Sequence, residues 1–217
     1  MGQPKYILRA AGRFIVIFGL LILPWPGWND IYSSYFRALG QMAFSREDDQ
    51  RIVLFEPHHA QHGFSSLDTD MDVGNRALVD SSGKGKAAIV NLDSRSIGWT
   101  PTALTMALIL ATPVPLRQRG LALFWGLILI HAFILFSLQA AIWNESPTVS
   151  LVDLSPFWKT MVDDMDYTLI TQLGASFSVP VLIWILVTIR RENLFDLSRH
   201  NRPRRAKRHD RTTSGMT

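Results

Sequence analysis

Residues 94–119, SRSIGWTPTALTMALILATPVPLRQR, decide the fold, because they join a polar segment to an apolar one with almost no linker. Thr100 can cap a helix, and Pro101 suits the first helical turn, where its missing N–H costs nothing. Pro113 and Pro115 then stop the helix ahead of Arg117 and Arg119. The stretch predicts a membrane helix, with the residues before Trp99 and those after Leu116 outside the bilayer.

Working outward, the 217-residue chain gathers its apolar residues into four blocks, 14–28, 97–116, 121–143 and 169–189. None has Asp, Glu, Lys or Arg in its middle, and each is near the ~20 residues that cross about 30 Å of hydrocarbon. Blocks this long and uncharged predict a membrane α-helical fold: four transmembrane helices, with a small external β-containing (α+β) domain between helices 1 and 2.

Charge sets the orientation. The N-terminal end, the 117–119 turn and the tail from Arg190 carry 14 basic and 3 acidic residues, whereas residues 29–96 and 144–168 carry 8 basic and 15 acidic ones. The net +4 is therefore a sum of about +11 and −7 across the bilayer, which by the positive-inside rule places both termini in the cytoplasm. Trp25, Trp28, Trp99, Trp143 and Trp158 all fall at the predicted outer ends, where indole favours the headgroup region.

Taken in chain order, residues 1–28 form a cytoplasmic N-terminus and an uncleaved first span, since 24–28 (PWPGW) offers no small-x-small cleavage pattern. Residues 29–96 form a periplasmic helix and β domain, 97–143 two spans, 144–168 a periplasmic amphipathic segment, 169–190 the fourth span, and 191–217 a basic tail too polar to fold. Within 29–96, Asn29 or Asp30 caps a helix to about Phe44 with Tyr32, Phe36, Leu39 and Ala43 on one face. Residues 51–55, 67–73 and 86–93 read as strands, the last two joined by a hairpin loop over 80–85. Within 144–168, Ser155-Pro156 starts a helix with Phe157, Met161 and Met165 spaced by four.

Zero cysteines exclude disulfides, thiolate metal sites and a thiol nucleophile. Asp68, Asp70 and Asp72 share one strand face and could hold a divalent cation. Val73 and Val79 stand where a calcium loop needs Gly and a carboxylate, so a solvated face with Asp70 opposite Arg95 is the preferred reading. His58, His59 and His62 could ligate zinc or copper if helical, but Pro57 and Gly63 favour a loop. His131 lies mid-span, where an ionisable group is a functional hypothesis by default; the blander reading bonds a neutral ring to Thr105, Gln172, Ser176 or Ser178. Ala103, Ala107 and Ala111, and Gly174 with Ser178, make small-residue stripes suited to close helix packing within the chain.

The elements Gly98-Trp99-Thr100-Pro101 and Ala107-Leu108-Ile109-Leu110-Ala111-Thr112-Pro113, with the N-terminal anchor and short external β region, resemble the small multi-pass bacterial proteins associated with exosortases, membrane-embedded transpeptidase-like enzymes of envelope protein sorting. That resemblance implies an accessory multi-pass protein of a bacterial inner (plasma) membrane, with the external segments periplasmic, and brings no catalytic residues. An exosortase itself is excluded, because those enzymes resemble Cys-dependent transpeptidases.

The expectation is a non-catalytic accessory or assembly subunit without a cofactor. Its expected partners are the lipid bilayer, other membrane subunits and, at the C-terminal tail, anionic lipid headgroups. Nucleic acid is not expected, since the tail lacks aromatics after Phe195. The alternatives are an extra subunit of a respiratory or photosynthetic complex, a small transporter built on His131, and a metal-dependent periplasmic-face enzyme built on His58, His59, His62 and the Asp68, Asp70, Asp72 face.

Overall fold

The computed structural model describes residues 3–45, 51–58, 67–79, 87–151, 155–166 and 173–188. Among them are six α-helices and three strands: α1 (Gln3–Ile22), α2 (Trp28–Phe44), β1 (Arg51–Pro57), β2 (Thr69–Asn75), β3 (Ala87–Leu92), α3 (Thr100–Ala111), α4 (Leu116–Glu145), α5 (Pro156–Asp166) and α6 (Leu173–Thr188). A 3-10 turn, Arg76–Leu78, comes after β2, and a π-helical turn, Arg95–Trp99, leads into α3.

Four membrane spans are not what forms. Among the described residues only α4, 30 residues long, is both long and apolar enough to cross a bilayer. The reasons are local. α1 starts far earlier than the apolar block at 14, so it contains Lys5, Arg9 and Arg13, and its uncharged run ends at Ile22 ahead of Pro24 and Pro26. α3 has 12 residues, about 18 Å at 1.5 Å each, because the 113–115 Pro-Val-Pro turn ends it. α6 has 16 residues, about 24 Å, with Pro180 inside. α4 in turn absorbs Arg117 and Arg119, expected in a turn between two spans, into its own first turn.

The sheet is an antiparallel meander, β1-β2-β3. Alternation along β2 sends Thr69, Met71, Val73 and Asn75 inward, all buried, and Asp70, Asp72 and Gly74 outward. The register sets Asp70 opposite Glu56 and Asn91, and Asp72 opposite Leu54 and Ile89. The expected Asp70–Arg95 pairing is therefore wrong by four residues. β3 ends at Leu92, so Arg95 is already helical and its guanidinium reaches the Ile22 carbonyl at the end of α1.

One core joins sheet and helices. Val53, Phe55, Met71, Val73, Ala88 and Leu92 pack with Tyr32, Phe36 and Phe44 of α2, with Ile134, Leu138, Ala141 and Ile142 of α4, and with Val149. The inner face of α2 is Tyr32, Phe36, Gly40 and Phe44; Leu39 is half-buried and Ala43 exposed, so the helix is turned one residue from the expected face. A strict four-residue stripe wins because Gly40 lets the Phe55 ring lie against the helix, where a Cβ would come within 2.7 Å of it. No side chain of Asn29 or Asp30 caps α2; the cap position falls two residues before Asn29, at Gly27 with φ 75°.

α3 packs against α1, α4 and α6 and is buried nearly all round, including Ala103, Ala107 and Ala111. α1 runs antiparallel to it, since the last α1 carbonyls meet the residues that lead into α3. α6 meets its other end, where Trp184 Nε1 donates to Thr112 Oγ1 at 2.8 Å. The bundle thus has a sheet-covered end and a far end holding Arg117 and Arg119. Leu8, Ile15, Val16 and Leu20 of α1, Phe124, Trp125, Ile128 and Phe136 of α4, and Phe177, Leu182, Ile185 and Leu186 of α6 remain exposed.

Candidate interaction site at the sheet–helix junction

The site forms where β2 and β3 run into α3. Asp68, just ahead of β2, accepts from the Ser94 amide at 3.1 Å through Oδ1 and from the Ser94 hydroxyl at 2.5 Å through Oδ2. Its carbonyl accepts from Arg37 of α2 and from the His58 amide, both at 3.2 Å, and its amide donates to the Leu92 carbonyl. A residue that the sequence offers as a solvated carboxylate, or less readily as a cation ligand, thus holds neighbouring segments together.

Asp93 supplies the cap expected of Thr100. Its Oδ1 accepts from the Arg95 and Ser96 amides at 3.0 and 3.1 Å, so the helical path starts directly after β3 and Thr100 lies inside it. Burial pushes the Asp93 carboxyl above its usual range; the two amides and Arg95 oppose that rise, and Asp68 adds to it.

The π turn carries the next layer. Trp99 Nε1 donates to the Leu21 carbonyl at 2.9 Å, which ties it to the last turn of α1. Its ring meets Trp28 edge-on at 5.0 Å and Tyr32 at 5.3 Å. Gly98 lets Tyr32 approach so closely that a Cβ there would come within 2.5 Å of the phenol oxygen. Burial pushes the Tyr32 phenol well above its ordinary range, against the opposing effect of its bond with Thr102.

On the outer face, His58 Nδ1 and Asp70 Oδ1 lie 2.6 Å apart, each side chain about a fifth exposed. This imidazole–carboxylate pair is the one contact between a predicted histidine and a predicted aspartate among the described residues. Among the described residues no group of three His, Asp or Glu could hold a metal ion. Asp72 stands nearby with Oδ1 buried and without a hydrogen-bond partner, flanked by Leu54 and Ile89. Burial, then Glu56 and Asp70, push its carboxyl upward. The face therefore mixes acid with exposed apolar surface, Leu54 at 41% and Ile89 at 62% exposure.

The other predicted residues scatter. His59, His62 and Gln172 lie outside the described residues, as do the 80–85 loop and the basic tail. His131 Nδ1 sits 2.7 Å from the Leu127 carbonyl of its own helix, and its ring meets Tyr35 edge-on at 6.0 Å. It bonds none of Thr105, Ser176 and Ser178; Thr105 back-bonds to Pro101 instead. Gly174 and Ser178 are exposed on α6 and make no close packing stripe.

Asn75 carries no signal in the sequence. Buried at the end of β2, it donates to the Val149 and Ser150 carbonyls and accepts from the Ala77 amide. It thereby ties the sheet to the turn after α4, where Ser150 sits at φ 55°. Ser94 and Arg37 are equally silent, since their partners are 26 and 31 residues away. Asp93 with a serine three residues on is the one legible cap. Compared with family models, curated proteins and solved structures, the chain gives no match.

Proposed function

We propose that this chain is a non-catalytic accessory or assembly subunit of a bacterial inner-membrane complex, anchored through α4 and offering its sheet to a partner on the periplasmic side. The observation that carries the reading is the shared core: the strands, α2 and the 134–142 part of α4 contribute side chains to one buried hydrophobic cluster. A partner that grips the sheet therefore acts on the anchor through that common core.

Three further features support it. The exposed apolar side chains of α1, α4 and α6 fit hydrocarbon better than water. The arginines of the far end fit a cytoplasmic surface and the acidic sheet an outer one. α5 leaves Phe157 and Trp158 exposed at 71% and 54%, as suits a helix lying at an interface. The resemblance over residues 94–119 makes an envelope-sorting enzyme the partner to test first.

The test is purification of the tagged chain from native membranes in mild detergent. The expected result is a stoichiometric heteromeric complex that Ile89→Lys weakens while the chain stays folded. Recovery as a free monomer would sink the proposal.

A further inference from the structure

At the end of the bundle away from the sheet, α4 and α6 part to leave an open groove of about 240 Å3, lined by Val114, Leu121, Ala122, Trp125, Leu129 and Leu186 among others. We propose that it binds one acyl chain of an anionic phospholipid, whose phosphate is held at the groove mouth by Arg117, Gln118 and Arg119. The inference rests on the proposed membrane anchoring and adds a specific lipid to it.

The lining selects the occupant: Val114, Leu121, Ala122, Leu129, Leu186 and Val187 make walls that are almost wholly apolar, which suits a hydrocarbon chain.

Charge selects the headgroup. Arg117 and Gln118 are exposed in the first turn of α4, which has no side-chain cap. Arg119 is held in place by donating to the Thr112 and Val114 carbonyls at 3.2 and 3.3 Å, while its Nε stays buried without a partner. Thr188, which lines the groove, has its hydroxyl in the same condition. No Asp or Glu occurs between Thr100 and Asn144 or within α6, so nothing acidic on these segments competes for the arginines. Gln118 lines the groove and Arg117 and Arg119 flank it in the first turn of α4, so a basic, acid-free end of the bundle adjoins an apolar slot, as a phosphate above an acyl chain requires.

The full chain, purified in mild detergent, is reconstituted into nanodiscs of phosphatidylcholine with a minor share of phosphatidylglycerol, and the lipids it retains are read by native mass spectrometry. Phosphatidylglycerol should be retained over phosphatidylcholine by about tenfold. Arg117→Gln, which disturbs no internal bond, should cut that preference about fivefold. Leu121→Trp, at a half-exposed position of the groove wall, should abolish retention of both lipids without shifting the thermal midpoint. Equal retention of the two lipids by the unaltered chain, or an Arg117→Gln variant that keeps the full preference, would overturn the site. A chain that fails to enter phosphatidylcholine nanodiscs at all would instead refute the membrane reading.

Discussion

Asp68 and Ser94 are joined twice, side chain to backbone and side chain to side chain, and this pair closes the sheet onto the start of the helix. Ser94 is 1% exposed, so its hydroxyl has no water to fall back on. Asp68→Ala should cost about 2 kcal/mol, the range of hydrogen bonds to a charged group. Ser94→Ala should cost less, because the amide still donates to Oδ1. Thermal melts of both single variants and the double variant check this, and additive effects would show that the two residues are not coupled.

Two glycines mark the closest approaches. A Cβ at Gly40 or Gly98 meets the Phe55 ring or the Tyr32 phenol well inside van der Waals distance. Gly40→Ala and Gly98→Ala should each destabilise by roughly 1–3 kcal/mol through overpacking. Gly12→Ala and Gly19→Ala, in α1 with nothing within 4 Å, should be neutral or stabilising, since alanine favours helix. A thermal midpoint for each variant separates the two groups.

Asp72 predicts the direction of a pH effect. Its folded-state carboxyl is raised above the ordinary value of 3.8, chiefly by burial and then by Glu56 and Asp70. The folded form thus holds its proton more tightly than the unfolded chain, so stability falls as pH rises from about 3.8 through the raised value. Above that window the cost is fully present. Asp72→Asn should therefore raise the midpoint at pH 7, and the gain should shrink as pH is lowered through the window. A gain constant with pH would assign the effect to packing instead.

His131 predicts a small effect. Its Nδ1 bond goes to a carbonyl of its own helix, and its ring packs edge-on against Tyr35. His131→Phe keeps the ring and loses only that bond, so the midpoint should move by an amount equivalent to about 1 kcal/mol or less. Loss of partner binding in a folded His131→Phe variant would give the imidazole a direct role.

Periodic features are legible in the sequence, and distant pairings are hidden. The alternation of Thr69, Met71 and Val73 with Asp70, Asp72 and Gly74 marks β2, and the spacing of Tyr32 and Phe36 marks α2. Helix length is misleading because an apolar block and a helix are different things: α1 outgrows its block into Arg9 and Arg13, and α3 falls short of its own. The helical path over the six residues between Asp93 and Thr100 is not foreseen, because a π turn has no sequence signature. The Asp68–Ser94 pair and the Asn75 ties span 26 to 75 residues, and no local pattern announces them.

The absence of native cysteine makes the central claim directly measurable, since single-cysteine variants carry no background. In spheroplasts with the inner membrane intact, a membrane-impermeant maleimide should label Ile89→Cys on the outer sheet face. It should miss Arg117→Cys until the membrane is permeabilised, and miss Ile128→Cys, midway along α4, until detergent is added. That pattern places α4 across the bilayer with the sheet outside. Labelling of Ile89→Cys and Arg117→Cys together in intact spheroplasts, or of Ile128→Cys without detergent, would contradict it.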